Sequence, residues 1–416
     1  MRVYLSNVGC KLNQAEVEAL GRAFAASGHE VVASLQAAEV HVVNSCTVTG
    51  RAARDSRKTA RRGRAANPGM RTVLTGCHAT YDPSEASRLD GVDLVVGNRE
   101  KERLVELVEE ALPGLSPPAL VMSAVPRPRT RVAVKIQDGC PMHCAFCVIP
   151  MTRGASSSRP LAEVVAEVRR LVAVGAPEVV LTGVQISSYR HDGRRLADVV
   201  RAVLAETAVP RLRLSSLAPW EVEGELLGLW SDRRLCRHLH MSLQSGCTAT
   251  LRRMRRPYTA SEYAGALARV RAAVPGVAVT TDVIVGFPGE TDDEFSASLA
   301  FVAAAGFARV HVFPFSPRRG TRAAGMDDRV EDEVKRTRMA AMLEAARAAE
   351  QRFQAAHVGI DAEVLWEERR GRRWVGLTDT YLRVALVSRE DLGGEATRVR
   401  LAAVDAGILV AEALEA

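Results

Sequence analysis

Gln137-Asp138-Gly139-Cys140-Pro141-Met142-His143-Cys144-Ala145-Phe146-Cys147 follows directly on an apolar run at 132–136, and from that point one pattern repeats along the chain. Strands are expected near 132–136, 178–182, 211–215, 239–243, 278–285 and 308–313, each followed by a loop and usually by a helix. Six such units predict a partial parallel (β/α)6 barrel. Its functional loops then belong at the C-terminal ends of the strands, as in closed α/β barrels. The stretch from about Val330 to Phe353 has the periodicity of a closing amphipathic helix.

On the N-terminal side, short apolar runs at Val3–Asn7, Val40–Asn44, Thr72–Thr75 and Val92–Val96 alternate with helix-period stretches at about 13–28, 49–66 and 99–112. This predicts an open parallel α/β domain over 1–112. Pro113, Pro117, Pro118, Pro126 and Pro128 crowd the next segment, and proline at that density continues neither a helix nor a central strand. Residues 113–130 are therefore expected to be a linker, and 131–355 the barrel domain. The tail, 356–416, changes character. Segments at Ala362–Trp366, Trp374–Leu377 and Tyr381–Val387, separated by Gly and charges, predict a small β-barrel. The fold class is thus α/β with a C-terminal β-barrel appended.

A chain of 416 residues exceeds one ordinary core, in keeping with this division. Hydrophobic residues make up 47% and charged residues 25%, which excludes a disordered chain. A net charge of +7 admits a polyanionic partner without choosing one. Neither a basic leader followed by an apolar stretch nor an apolar run of about 18 residues is present, so a cytosolic protein with no membrane partner is expected. In that reducing compartment, clustered members of the eight cysteines point to metal or chemistry and not to a disulfide framework.

Cys140, Cys144 and Cys147 stand in the spacing C-x-x-x-C-x-x-C. Three thiolates on one short loop suit three irons of a 4Fe-4S cube and leave the fourth without a protein ligand. That open iron can chelate the amino and carboxylate groups of S-adenosylmethionine, so that an electron from the cluster breaks its sulfonium C–S bond. The competing reading is a zinc site completed by His143, although zinc knuckles usually sit on small hairpins. A second set is visible only once strands are placed. Gly9-Cys10, Ser45-Cys46 and Gly76-Cys77 each follow a strand of the first domain. The C-terminal strand ends of an open parallel sheet share one crevice. Each cysteine alone reads as a buried thiol; together they read as a second three-thiolate cluster. Cys236 and Cys247 lack such spacing and read as ordinary thiols.

These residues resemble the radical S-adenosylmethionine methylthiotransferases, and the resemblance runs along almost the full length. Gly9-Cys10-Lys11-Leu12-Asn13-Gln14-Ala15-Glu16 and Asn44-Ser45-Cys46-Thr47-Val48-Thr49 look most like the branch that modifies threonylcarbamoyladenosine beside the tRNA anticodon. The resemblance implies a radical 4Fe-4S cluster on Cys140, Cys144 and Cys147, an auxiliary 4Fe-4S cluster on Cys10, Cys46 and Cys77, and a tail of the TRAM RNA-binding type. It implies S-adenosylmethionine as methyl donor and radical source, with tRNA and an electron donor such as flavodoxin or ferredoxin as partners. Phe146 would pack on the adenine of S-adenosylmethionine, or serve the core. Gly183, Ser242, Gln244 and Asp282 end strands and would contact the cofactor, although the glycines here also suit tight turns.

Arg51, Arg54, Arg57, Lys58, Arg61, Arg62 and Arg64 fall on an expected helix just after Cys46, which suits RNA phosphates but equally a solvated face. Arg369, Arg370, Arg372 and Arg373 lie between Trp366 and Trp374, offering cations and stacking faces for single-stranded RNA. The alternatives are methylthiolation of isopentenyladenosine in tRNA or of a ribosomal-protein aspartate, and, in another class, a non-catalytic zinc-stabilised RNA-binding protein.

Overall fold

The computed structural model describes residues 1–112 and 129–414, so the expected linker lies almost wholly outside the described residues. Those residues form two compact units. One comprises 1–112 with 138–157 and 316–324; the other comprises 129–137, 158–315 and 325–414. The cysteine loop after the first barrel strand thus belongs to the first unit.

The first unit is built on five parallel strands in the spatial order Glu30–Val31, Arg2–Asn7, Val40–Ser45, Arg71–Gly76, Leu94–Val96. Val40–Ser45 is buried at every position, as a central strand covered on both faces must be. Helices Lys11–Ala26 and Leu104–Ala111 supply Phe24, Leu104 and Val108 to a core with Val3, Val40, Val42 and Val73. Helix Gly50–Ala66 supplies Ala60 to a second cluster with Val43 and Leu74. Its buried stripe is Ala53, Ser56, Ala60 and Gly63, all small, which leaves its long basic side chains to the other faces. In sequence terms the strand order is 2-1-3-4-5. The order reverses between the first and third strands, and that reversal opens a crevice at their C-terminal ends. The expected helix at 99–112 is a single 3-10 turn, Lys101–Arg103, followed by Leu104–Ala111.

In the second unit the six expected strands are present: Arg131–Lys135, Glu178–Thr182, Arg211–Leu214, His238–Met241, Ala278–Val285 and Arg309–Pro314. All their pairings are parallel. The third strand breaks at Ser215 and resumes as Ser216–Leu217, so that three strands pair on one side of the break and four on the other. The two sets stay joined because Leu212 N–H donates to Arg234 O at 2.7 Å and Cys236 N–H to Leu212 O at 2.8 Å. Helices Ala260–Ala273 and Asp292–Ala304 start with reciprocal capping boxes, Thr259 with Glu262 and Thr291 with Glu294. The closing helix is Asp332–Ala355.

The tail closes into a five-stranded barrel in which strands Ala396–Asp405 and Ile408–Ala413 join the three expected ones. Here one expectation is overturned. Trp366 is 0% and Trp374 6% exposed; both pack in the barrel core, so neither offers a stacking face to RNA. Their indole N–H groups are spent inside, on Thr397 Oγ1 and Glu390 O, each at 2.8 Å. Alternation along the strand explains it: Trp366 shares the inward face with Val364, while Arg369, Arg370, Arg372 and Arg373 are exposed.

Candidate active site

At the crevice of the first unit, Cys10 stands at the N-cap of helix Lys11–Ala26 after the first strand, Cys46 follows the third strand, and Cys77 opens the short helix Cys77–Tyr81 after the fourth. The sequence expected the three to share the strand ends, and the fold places them there. Gly9 makes the approach possible. It has φ +107°, and a Cβ there would lie 2.7 Å from Cys46 Cβ and 2.9 Å from its Sγ.

The thiols sense one another. Burial pushes Cys46 up to about 12, with Cys77 and Cys10 adding to the rise and Arg153 opposing it. Cys10 is exposed as a residue, and desolvation raises the pKa of its thiol against the pull of Arg153. Such thiols stay protonated until a metal takes the proton's place.

Around them lies a buried polar network that the sequence reading missed. Asn13 Nδ2 donates to Val8 O at 2.8 Å and to Ser45 O at 3.0 Å, and the Cys10 thiol points to its Oδ1 at 3.8 Å. Glu16 accepts from Lys101 Nζ at 2.6 Å, Asn44 Nδ2 at 3.0 Å and Arg153 at 2.8 Å. Asn98 Nδ2 lies 3.8 Å from Cys77 Sγ and donates to Thr152 O at 2.8 Å. Burial works against the Arg153 charge, but Cys77 and Glu16 hold its pKa well above the ordinary value. Burial lowers the pKa of Lys101, with Glu16 pulling the other way. The signal was present in part: Asn13 and Glu16 follow Cys10 by three and six residues, near helical spacing.

Cys140, Cys144 and Cys147 are half-buried on a loop whose two ends meet. Cys140 N–H donates to Gly154 O at 3.2 Å, and a Cβ on Gly139, φ +66°, would lie 1.9 Å from Ala155 O. Phe146, between two of these cysteines, is half-buried. Among the described residues no group of three His, Cys, Asp or Glu side chains is set to hold one metal ion. An iron-sulfur cube spaces its thiolates more widely than one ion does. The surroundings fit such a group: thiols gathered at a crevice, two buried cations beside them and the Asn98 amide N–H aimed at Cys77 sulfur.

In the second unit, Ser242 and Gln244 follow the end of strand His238–Met241, whereas Asp282, expected at a strand end, lies within strand Ala278–Val285 beside them, because that strand runs on to Val285 in pairing with its neighbour. Gln244 adopts φ +69°, its N–H donates to Asp282 O at 2.8 Å, and its own carbonyl accepts from Ile284 at 2.9 Å. The Asp282 carboxylate lies 3.2 Å from His240 Nε2. Gly183 ends the second strand, where a Cβ would meet Gln137 O at 2.7 Å. Cys236 is buried, with its thiol 3.9 Å from Glu178 Oε2, and burial pushes it up to about 12.

Residues 134–302 match the model of the radical SAM superfamily and residues 2–97 that of the uncharacterized protein family UPF0004. The chain is 34% identical over 424 residues to the threonylcarbamoyladenosine tRNA methylthiotransferase MtaB of Bacillus subtilis (strain 168), covering 96% of this chain and 93% of that one. It belongs to the methylthiotransferase family. A member of the other tRNA branch, the tRNA-2-methylthio-N(6)-dimethylallyladenosine synthase of Chloroflexus aurantiacus, is 35% identical, over 97% of this chain and 89% of the relative. Among solved structures, the radical S-adenosylmethionine methyltransferase TsrM from Kitasatospora setae shares the fold, with a TM-score of 0.59 at 18% identity over 78% of this chain and 77% of that one. No helix of the described residues is long and apolar enough to cross a membrane.

Proposed function

We propose that this methylthiotransferase converts threonylcarbamoyladenosine, next to the anticodon of tRNA, into its 2-methylthio derivative. The observation that carries this reading is the similarity to a methylthiotransferase of that substrate over nearly the whole of both chains. Cys140, Cys144 and Cys147 would hold the radical 4Fe-4S cluster, and Cys10, Cys46 and Cys77 the auxiliary one. When bound, these clusters and S-adenosylmethionine supply the one-electron chemistry that an aromatic C–H bond demands, since no side-chain base ionises it at neutral pH. The chain's own part is to bind and to orient. Gly183, Ser242 and Gln244, at strand ends, and Asp282, within its strand, would receive S-adenosylmethionine, with Phe146 packing on its adenine.

Arg54, Lys58, Arg61 and Arg62 form an exposed stripe on helix Gly50–Ala66, where Arg51, Arg57 and Arg64 instead pair with carboxylates. A stripe left over after pairing is suited to phosphates, and the closed C-terminal barrel with its exposed arginines is suited to the same ligand as a TRAM-type module. A cytosolic electron donor of the flavodoxin or ferredoxin kind completes the set. The zinc-protein reading has no support from the relatives.

The test is mass spectrometry of tRNA nucleosides from cells lacking the gene, with and without a plasmid copy. Loss of the methylthio form of threonylcarbamoyladenosine, accumulation of its parent and rescue by the plasmid are expected. Relatives of the dimethylallyladenosine branch are equally similar in identity. Loss of that methylthio nucleoside instead would move this chain to the second branch.

A further inference from the structure

Arg153 is buried with its side chain 1% exposed, at the end of the short helix Ile149–Arg153 that follows the Cys140–Cys147 loop. Its guanidinium reaches in two directions. Toward the loop, it donates to Asp138 Oδ1 at 2.9 Å and Oδ2 at 3.1 Å. Asp138 precedes Cys140 by two residues and also accepts from Gly139 N–H at 2.8 Å. The pair therefore ties the start of the cysteine loop to the helix that ends it. Toward the sheet, Arg153 donates to Asn13 Oδ1 at 2.7 Å and to Glu16 Oε1 at 2.8 Å.

Those acceptors are the ground on which the other triad stands. Asn13 touches the Cys10 thiol and bonds the carbonyl of Ser45, the residue before Cys46. Thr152, next to Arg153, offers its carbonyl to Asn98, whose amide lies against Cys77 Sγ. Each of Cys10, Cys46 and Cys77 is thus linked to residues 152–153 through a single intervening side chain or its bonded neighbour. Glu16 cannot give way easily, because Lys101 and Asn44 hold its carboxylate from the far side.

We propose that Arg153 is a positioning residue that clamps the loop of Cys140, Cys144 and Cys147 to the strand-end triad of Cys10, Cys46 and Cys77, fixing the mutual position of the two sets. This rests on the two-cluster reading above. The hydrogen bonds of the clamp go to Asp138, Asn13 and Glu16 and to no cysteine sulfur. It acts by geometry, through Asp138 on one side and Asn13 and Glu16 on the other. Lysine keeps the charge but lacks the planar fork that spans both carboxylates. A misplacement of about 1 Å between groups that must act in sequence costs on the order of 100-fold in rate.

The experiment uses the full chain, reconstituted with iron and sulfide, as wild type and Arg153→Lys. Three quantities are read: iron content, the magnetic interaction between the two reduced clusters by electron paramagnetic resonance, and the ratio of methylthio product to S-adenosylmethionine cleaved. Full iron loading, a weakened or broadened inter-cluster interaction and a ratio lowered about 100-fold with cleavage retained are expected. An unchanged magnetic interaction, or product and cleavage falling in step, overturns the clamp. Should Arg153→Lys fail to hold both clusters, Asp138→Asn cuts the loop side alone and is read in the same way. Loss of both clusters there too would make the network a folding element and overturn the proposal. The magnetic readout needs no RNA. A wild type with two interacting clusters that modifies no threonylcarbamoyladenosine would fail the proposed substrate, not the clamp.

Discussion

The two cysteine sets differ in their surroundings, and the difference sets what each substitution does. The thiols at the strand ends sit in a crevice of buried, hydrogen-bonded groups, with Cys46 itself buried. The loop cysteines are half-exposed on a segment closed at its base. On the proposed assignment, removing Cys144 would take one of three ligands from the radical cluster, so cleavage of S-adenosylmethionine should be abolished. Removing Cys46 leaves that loop untouched. Cys46→Ala is therefore expected to keep 5′-deoxyadenosine formation and lose the methylthio product, read by chromatography of one reaction mixture. Normal product from Cys46→Ala would break the assignment of Cys10, Cys46 and Cys77 to a second cluster. Neither substitution opens a large cavity, so both proteins should remain folded, checked by far-ultraviolet circular dichroism.

At the scale of elements, helix Gly50–Ala66 carries its load on opposite faces. Thr49 caps its start by accepting from Ala52 N–H at 3.1 Å, and the small stripe Ala53, Ser56, Ala60 and Gly63 lets it lie close on the sheet. A Cβ on Gly63 would come within 2.6 Å of Thr72 Oγ1, a measure of that closeness. Replacing Arg54, Lys58, Arg61 and Arg62 by Gln keeps the helix and removes only exposed charge. The quadruple variant should bind tRNA more weakly, and the slope of log affinity against log salt should become shallower by about 0.7 to 0.9 for each phosphate that is no longer neutralised. A slope equal to that of the wild type would return the helix to an ordinary solvated surface. Such elements are legible in the sequence because their information is local: apolar runs mark the strands, and three small-residue-plus-cysteine pairs at strand ends mark the triad. The clamp is legible only in the spacing of Asn13 and Glu16 after Cys10, since Asn98, Lys101 and Arg153 are ordinary polar residues until the fold brings them together. The tryptophans mislead for a related reason. Their neighbouring charges suggest a wet surface, while the strand's two-residue alternation turns Trp366 inward.

At the scale of the second unit, the C-terminal barrel is joined to the six-stranded one through buried charge and not through a loose tether. Glu178 accepts from Arg213 Nε at 2.7 Å and Arg211 Nε at 3.0 Å, and these guanidinium groups run on to the carbonyls of Leu377, Thr378 and Asp379 in the tail. Burial pushes Glu178 up, but the two arginines outweigh it and hold its pKa at about 2. Because that value is depressed from the unfolded one near 4.3, the stability it contributes is complete above about pH 4.3 and is lost as pH falls through 2. Tyr381 closes the junction, with Arg213 4.9 Å and Arg131 5.3 Å from its ring centre and His238 stacked at 4.6 Å. It does so at φ +67°, a conformation a bulky residue adopts only where its surroundings enforce it. The two barrels should therefore unfold together. Hydrogen exchange should give the amides of Glu178–Thr182 and Asp361–Arg370 one common opening free energy, and Tyr381→Ala should lower both by about 2 to 3 kcal/mol. If only the tail strands lost protection, the barrel would be a separable module. Equal loss would instead make the tail and the six-stranded barrel one cooperative unit, which includes the strand that leads to Ser242 and Gln244 and the strand that carries Asp282.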